Sequence, residues 1–443
     1  MKKTRFLTTL LIVLLAGAGW AAGLLGFFGS SAMEDNLHYN ESVAEARDYK
    51  GRGLYQLAVL SYKEALDLKE NETVRNEMLE SYRERYKEDP KIIDEYIDAL
   101  KARADRYPRE KQYYTELVSV LIEDNEYYYA DKYLSRAIEK GINDEEIQAL
   151  FYQVKYGFQE LYSEYTGFRP VSGNIYAVVN EDRWAYITST GSAANGKDLV
   201  KAYSTGDEGI SVRVDAGGSY MIDANEIIRG KLDFDPDQAL LYSEGLVAVS
   251  RDGKYGYYDS LGDYQFGKYE DAGNFTNGIA PVNVGTGWTF IDTEGKETGS
   301  GDLYKDIKMD RNGVWMKNDH FIADRGQGYQ LFDKAQNPVG TEKWDDTDVL
   351  SEDGIFAFKS GNLWGYADLE GNVMAEPQFE EARSFSNKLA AVRKGDQWGF
   401  IDTDFNMVIS PQFSDADYFN GDGCCFVRSE DADWHIIKLR LTD

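Results

Sequence analysis

Two different patterns of apolar residues divide this chain. From about Tyr39 to Gly167, apolar residues recur at the three- and four-residue spacing of a helix face. From about Phe168 onward they alternate with polar residues in short runs that end in Gly, Asp or Asn. The pattern predicts a helical domain over residues 33–167 and an all-β domain over residues 168–443. The predicted fold class is therefore multidomain, α then β.

The helical domain repeats with a period of about 34 residues. Small and aromatic residues recur in three units, Tyr49, Gly53, Tyr55, Ala58, Tyr62 and Ala65, then Ile92, Tyr96 and Ala99, then Tyr127, Ala130, Leu134 and Ala137. Asp89 followed by Pro90 is typical of a helix start, with a capping side chain and proline at the first helical position. The region resembles a tetratricopeptide-like α-solenoid, which implies protein or peptide binding along a concave face.

Two tyrosine runs in the helical domain have two interpretations. Tyr113-Tyr114 and Tyr127-Tyr128-Tyr129 are candidates for the concave binding face. The other interpretation, which we favour, is packing between helices, because a tyrosine ring is mostly apolar.

The β domain repeats an aromatic anchor about every 35 residues. The anchors are Trp184, Tyr220, Tyr255, Trp288, Tyr329, Trp364, Trp398 and Trp434, and their spacings are 36, 35, 33, 41, 35, 34 and 36 residues. Each anchor opens a strand that follows a shorter strand and a turn, as in a hairpin. An Asp-x-x-Gly turn follows the anchor strand, and Asp first with Gly fourth is typical of a type I turn.

Further features of each unit support a repeated sheet. Gly365 and Gly399 directly follow an anchor tryptophan, where glycine lets neighbouring backbone approach closely. A third strand often ends in proline, as at Pro377 and Pro411, and a fourth strand is expected near Phe379–Phe385.

These residues resemble the WG repeat family of bacteria. The closest copies are Trp364-Gly365-Tyr366 and Trp398-Gly399-Phe400, each followed by a Pro-Gln-Phe segment. The resemblance implies repeats in surface or membrane proteins without a catalytic site. One unit of about 35 residues cannot bury its own apolar face, so neighbouring units must stack. Eight units favour a β-propeller, with a β-solenoid as the alternative.

An uncharged apolar segment lies near the start of the chain. Residues 6–28 contain no charged side chain, and the segment is long enough to cross a bilayer as a helix. Lys2, Lys3 and Arg5 precede the segment, so the positive-inside rule places the following residues outside the cytoplasm. We expect residues 1–32 to be a signal anchor that makes this a single-pass membrane protein. The alternative is secretion after cleavage near Ser30-Ser31-Ala32, which are small residues.

Charge and cysteine content narrow the possible partners. The formal net charge is −29, which disfavours nucleic acid and anionic lipid surfaces. Cys424 and Cys425 are the two cysteines of the sequence. Being adjacent, they do not indicate a disulfide framework, and we expect them to pack within a strand.

The sequence offers little catalytic chemistry. His38, His320 and His435 form no metal-binding motif, and no phosphate loop or nucleophile elbow is present. We therefore expect no enzymatic activity and no cofactor. Weak candidates for calcium ligands are Asp233, Asp235, Asp237 and Glu244, which match the first, third, fifth and twelfth positions of a calcium loop. Gln238 occupies the position that such a loop reserves for glycine, and an acidic connector is the alternative.

The sequence therefore favours a membrane-anchored, extracytoplasmic protein-interaction scaffold. A cell-wall or glycan-binding surface protein is the alternative, because aromatic side chains stack on sugar rings. A calcium-stabilised structural protein is a third hypothesis. In each case the expected partners are proteins or glycan, with the membrane contacted through the N-terminal helix.

Overall fold

The computed structural model describes residues 33–169, 175–194, 199–298, 301, 303–430 and 432–441. The chain divides into two compact units, a helical unit that ends at Val154 and a β unit that begins at Lys155. This division comes earlier than the predicted change at Phe168. The reason is that a strand at Phe158–Glu160 already pairs with the last strand of the chain.

The helical unit contains seven helices within the described residues. They are α1 (33–51), α2 (Tyr55–Leu68), α3 (Glu72–Glu88), α4 (Ile93–Arg106), α5 (Lys111–Glu123), α6 (Tyr127–Glu139) and α7 (Glu145–Lys155). A 3-10 turn over Pro90–Ile92 leads into α4, and the Asp89 side chain accepts a hydrogen bond from the Lys91 N–H at 3.2 Å. The predicted Asp-Pro helix start is confirmed.

Neighbouring helices pack through small residues and rings. The predicted residues Ala58, Tyr62 and Ala65 are fully buried on α2. Ala130 and Leu134 are buried in the same way on α6. Small side chains bring helix backbones close, while the rings fill the remaining space.

The β unit is an eight-bladed β-propeller. Strand β1 is Phe158–Glu160, and blade 1 contains β2 (Gly167–Arg169), β3 (Ile175–Asn180) and β4 (Arg183–Thr188). Blade 2 contains β5 (Lys201–Ala202), β6 (Ser211–Asp215), β7 (Gly218–Ile222) and β8 (Ile228–Leu232). Blade 3 contains β9 (Gln238–Ala239), β10 (Val247–Arg251), β11 (Lys254–Tyr258) and β12 (Tyr264–Tyr269). Blade 4 contains β13 (Asp271–Ala272), β14 (Ile279–Asn283), β15 (Trp288–Asp292) and β16 (Glu297–Thr298).

The second half of the ring is similar, except that in blade 5 both β17 and β18 pair with β19. Blade 5 contains β17 (Asp306–Ile307), β18 (Met316–Lys317), β19 (His320–Asp324) and β20 (Tyr329–Asp333). Blade 6 contains β21 (Asp346–Thr347), β22 (Ile355–Ser360), β23 (Leu363–Asp368) and β24 (Val373–Phe379). Blade 7 contains β25 (Glu381–Ala382), β26 (Leu389–Lys394), β27 (Gln397–Asp402) and β28 (Met407–Phe413). Blade 8 contains β29 (Asp415–Ala416), β30 (Cys424–Arg428) and β31 (Trp434–Leu439), and β1 completes its sheet.

Two features close the ring. Strand β1 pairs antiparallel with β31, so the start and the end of the β unit share blade 8. Blade 8 also packs on blade 1, where the rings of Phe168 and Phe426 stack with centroids 4.0 Å apart. A separate apolar cluster lies between each pair of neighbouring blades, including blades 8 and 1. The structure thus favours the predicted propeller over the β-solenoid.

The Trp-Gly pairs allow a local bulge in the outer strand. A Cβ atom on Gly399 would lie 2.5 Å from the Ile409 carbonyl oxygen and 2.7 Å from the Pro411 nitrogen. A Cβ atom on Gly365 would likewise lie 2.5 Å from the Ala375 carbonyl oxygen, in the outer strand of its own blade. Strand pairing shifts register at both glycines. The close approach predicted for these glycines is confirmed.

The Asp-x-x-Gly turns are held by their first residue. The Asp292 carboxylate accepts the N–H groups of Glu294 and Lys296, both at 2.9 Å. The Asp368 carboxylate accepts two backbone N–H groups at the same positions of blade 6. The predicted fourth strand near Phe379–Phe385 exists as β25, but it is the first strand of the next blade.

The apolar segment at residues 6–28 lies outside the described residues. Among the helices that the structure describes, none is both long and apolar enough to cross a membrane.

Candidate functional site

A cavity lies beside the first strands of five blades, and we call it the axial cavity. Its volume is about 660 Å³. Blades 5 to 8 and blade 1, which are consecutive in the closed ring, supply its lining. The lining residues that carry charge are Asp310, Arg311, Lys317, Asp348, Glu352, Arg383 and Asp417. Because the loops between first and second strands supply many lining residues, the cavity lies at that end of the ring.

Asp348 joins blades that are not neighbours. Its carboxylate accepts a hydrogen bond from the Tyr418 hydroxyl, with distances of 2.8 and 2.7 Å to its two oxygens. It also accepts the Ser384 N–H at 2.6 Å. Asp348 belongs to blade 6, Ser384 to blade 7 and Tyr418 to blade 8. This contact therefore fixes the relative positions of three consecutive blades around the axis.

Two further carboxylates of the cavity are held mainly by backbone. Asp310 accepts the N–H groups of Asn312 at 2.8 Å and Val314 at 2.9 Å. Asp417 is only 8% exposed, and the backbone N–H of Tyr418 is its hydrogen-bond donor. Burial raises the pKa of both carboxyl groups above the ordinary value, because the charged form loses its hydration.

Two cations of the cavity have acidic partners. Lys317 lies 2.7 Å from Glu352, and Arg383 lies 3.2 Å from Asp415. The Arg383 Nε atom also donates to the Ala416 carbonyl at 2.5 Å. Glu352 therefore pairs with Lys317, whereas Arg383 is attracted by Asp417 and Asp348 as well as by Asp415.

Arg311 has a different environment. Its guanidinium lies 5.7 Å from the centroid of the Phe168 ring. Among the residues that the structure describes, no carboxylate lies within 4.0 Å of Arg311, and its side chain is exposed at the rim.

Aromatic residues form one wall of the cavity. Phe168 and Phe426 stack across the junction of blades 1 and 8, and Tyr176 meets Phe426 edge to face at 5.0 Å. The Asn420 side chain donates a hydrogen bond to the Tyr176 hydroxyl. The wall therefore combines apolar ring surface with fixed polar groups.

A second cavity lies between blades 6, 7 and 8, and we call it the WG groove. Its volume is about 680 Å³, and both Trp364 and Trp398 line it. Asp348 and Arg383 line this groove and the axial cavity alike. The guanidinium of Arg383 lies over the Trp398 ring at 5.1 Å. These two charged side chains therefore lie between the two spaces.

The repeated anchors contribute one residue to each blade. Trp184, Tyr220, Tyr255, Trp288, Tyr329, Trp364, Trp398 and Trp434 lie at or near the start of the strand that follows the hairpin turn. All eight are buried or half-buried. Cations cover several of the rings, as Lys308 does at 4.3 Å from Tyr329 and Arg169 at 4.9 Å from Trp184. Their positions indicate a role in packing blades together.

The four candidate calcium ligands do not converge. Asp235 accepts a hydrogen bond from Ser219, and Asp237 accepts one from the Gly253 N–H. Glu244 accepts the Gly278 N–H of the next blade, while Asp233 lies 3.8 Å from Arg251. Within the described part of the chain, no group of three or more His, Cys, Asp or Glu residues is arranged to hold a metal ion.

The histidines and cysteines occupy separate places. His38 contacts Glu64 in the helical unit, His320 starts β19, and His435 lies in β31. Cys424 and Cys425 are free and buried in β30. The expectation that both thiols pack within a strand is confirmed.

Comparisons with known proteins support the repeat assignment. Residues 255–285, 364–398 and 398–431 match the family described as WG containing repeat. No curated protein matches the chain.

Two of the similar solved structures are distant from this chain in sequence. "KlHsv2 with loop 6CD replaced by a Gly-Ser linker" is 9% identical with a TM-score of 0.38, over 63% of this chain and all of that one. "Crystal structure of the eukaryotic initiation factor" is 10% identical with a TM-score of 0.43, over 64% of this chain and 87% of that one. At these scores neither carries an argument, and the propeller rests on its strand pairing.

Sequence reasoning missed the residues of the axial cavity. An acidic residue and a small one mark the first strand of several blades, as in Asp271-Ala272, Glu381-Ala382 and Asp415-Ala416. The next residue is the one that lines the cavity in blades 7 and 8, Arg383 and Asp417. This short motif repeats with the period of the anchors and was the available signal.

Proposed function

We propose that this chain is a membrane-tethered, extracytoplasmic scaffold that binds a protein partner without performing catalysis. The observation that carries the proposal is the axial cavity, in which aromatic rings and charged side chains lie together at one end of a closed ring. Propellers offer rigid surfaces of this kind, because every blade is fixed by both of its neighbours.

The helical unit supports the same function. Its consecutive helices pack through buried small residues and rings, and we infer that they form a tetratricopeptide-like solenoid, a fold that binds proteins along one face. Tyr128 and Tyr129 remain exposed on α6, whereas Tyr113 and Tyr114 are buried. We infer that Tyr128 and Tyr129 contribute to a binding surface, since exposed tyrosines are enriched where proteins associate.

The tether is inferred from the sequence alone. Residues 6–28 are uncharged and follow Lys2, Lys3 and Arg5. The proposed topology places the N-terminus in the cytoplasm and both units beyond the membrane.

Chemical cross-linking tests the scaffold proposal. A tagged full chain is cross-linked in intact cells, extracted with a non-ionic detergent and purified, and the attached proteins are identified. The proposal predicts one or a few reproducible partners that are absent from cells expressing an unrelated anchored protein. Repeated recovery of the chain alone would contradict it.

The other hypotheses have less support. Stacking on sugars would require accessible rings, and the repeated anchors are buried or half-buried. Binding of the full chain to purified cell-wall sacculi would nevertheless favour the glycan hypothesis. Stabilisation by calcium has no site to support it among the described residues.

A further inference from the structure

The lining of the axial cavity carries more negative than positive charge, with four carboxylates against three cations. Asp310, Asp348 and Asp417 have no cation within 4.0 Å among the described residues, whereas Arg311 is the cation without a carboxylate. The three carboxylates come from blades 5, 6 and 8, and therefore face the cavity from different sides. A ligand that enters this space meets an environment that favours positive charge.

Asp417 is the least exposed of these three aspartates. Its side chain is more than nine-tenths buried and lines the cavity. No described side chain donates a hydrogen bond to it and one backbone N–H is its donor, while Arg383 and Arg311 attract its charge from more than 4.0 Å away. A carboxylate accepts up to about four hydrogen bonds, so Asp417 retains unused acceptor capacity in a site with little water.

The form of the cavity also limits the ligand. Metal ions need several ligands at one point, and the described residues offer no such group. The lining instead combines the carboxylates with the apolar side chains of Met309, Val349 and Leu350 and with the Phe426 ring. An ammonium group on an aliphatic stem matches both features, because the stem packs on apolar surface while the head reaches the carboxylates.

We propose that the axial cavity receives a protonated amine on an aliphatic stem, presented as a lysine side chain of the partner protein. This inference rests on the proposed scaffold function. The surrounding charge agrees with it, since residues 155–443 contain 49 Asp and Glu against 27 Lys and Arg. A field of this sign steers a basic segment toward the cavity and repels acidic ones.

Binding of a defined peptide tests the inference. The probe is a blocked peptide of alternating lysine and glycine, titrated calorimetrically into the full chain in non-ionic detergent at physiological salt. We expect saturable binding, and no binding of the matching peptide with glutamate in place of lysine. Asp417→Asn keeps the side-chain shape and should raise Kd at least about tenfold, because a buried charge pair is lost.

Matched variants separate the cavity from general electrostatic attraction. Asp396→Asn removes the same charge from an exposed hairpin turn and should leave Kd unchanged within about twofold. Equal weakening by Asp417→Asn and Asp396→Asn would overturn the inference, as would absence of binding to the wild-type chain.

A variant of Arg311 distinguishes a positively charged ligand from a negatively charged one. Arg311→Gln should strengthen binding of the lysine peptide by about threefold, because it removes a positive charge near the entrance. Lys394→Gln, which removes a cation from the hairpin between β26 and β27, should have no comparable effect. Preference for the glutamate peptide, lost in Arg311→Gln, would show an anion site and overturn the inference.

Different outcomes of the cross-linking experiment contradict the scaffold proposal and the cavity inference. If the Asp417→Asn chain still recovers the cross-linked partner at wild-type yield, the partner binds elsewhere and the inference fails while the scaffold proposal stands. If no partner is recovered by either chain, the scaffold proposal fails. Loss of partner by Asp417→Asn with retention by Asp396→Asn supports both.

Discussion

The Tyr418 hydroxyl of blade 8 hydrogen-bonds both carboxylate oxygens of Asp348 in blade 6, at 2.8 and 2.7 Å. Asp348 also accepts the Ser384 N–H of blade 7, so its carboxylate ties three blades together. Because burial and, second to it, the charge of Asp348 oppose ionisation of the phenol, the pKa of Tyr418 is well above its usual value. The hydroxyl therefore remains a hydrogen-bond donor throughout the physiological range.

Removal of this hydroxyl should weaken the propeller. Tyr418→Phe is expected to lower the free energy of unfolding by about 2 kcal/mol, since a hydrogen bond to a charged group is lost. Tryptophan fluorescence during urea unfolding reports this unit, because seven of the eight tryptophans lie between residues 184 and 434 and none lies in the described helical unit. Tyr264→Phe is the matched control, since Tyr264 is 52% exposed and should change stability by less than about 0.5 kcal/mol. Equal effects of the two variants would refute the importance of the contact.

The glycine after Trp398 should tolerate no side chain. Gly399→Ala places a methyl group within 2.5 Å of the Ile409 oxygen, so β28 must move. We expect a loss of about 2 kcal/mol or more in the free energy of unfolding, measured by the same fluorescence assay. Gly421→Ala is the comparison, because a Cβ atom there meets nothing within 4 Å. A wild-type unfolding midpoint for Gly399→Ala would show that the bulge does not need glycine.

Stability should depend on pH through Asp417. Burial raises the pKa of Asp417 in the folded state above its value in the unfolded state. The folded protein is therefore stabilised by the neutral carboxyl group, and this stabilisation is complete below the unfolded pKa of about 3.9. That effect is lost as the pH rises through the folded-state pKa, since the folded protein must then carry a buried charge. Asp417→Asn cannot ionise, and its stability relative to the wild type should therefore increase from pH 4 to pH 7. A difference that stays constant over this range would contradict the prediction.

The N-terminal boundary of the propeller should matter. A chain of residues 155–443 retains β1, whereas one of residues 168–443 lacks it and exposes the edge of β31. We expect the shorter chain to unfold at lower urea concentration and to self-associate, because an unpaired strand edge is a template for other strands. Sedimentation and urea unfolding of the two chains provide the measurement, and identical behaviour would mean that β1 does not close the ring.

The repeat was predictable because each anchor performs the same task in its blade. Trp364 and Trp398 begin equivalent strands, and the glycines after them meet equivalent backbone atoms. The sequence therefore showed the period, the number of units and the hairpin. The boundary was harder to predict, because the pairing of Phe158–Glu160 with β31 joins residues that are far apart in sequence.

The axial cavity was not predictable from the repeat. Its residues differ from blade to blade at one structural position, with Asp348, Arg383 and Asp417 in three consecutive blades. A pattern of repeated packing residues contains no information about the positions at which the blades differ. Only the closed ring brings these side chains to one place.

Site-specific photo-cross-linking tests the central claim most directly, that the partner binds at the axial cavity. A photoreactive phenylalanine derivative is placed at Glu352, which lines the cavity, or at Asp396, which lies in the hairpin turn at the opposite end of the strands. The account predicts a cross-linked partner from position 352 and none from position 396. A partner captured from position 396 alone would contradict it.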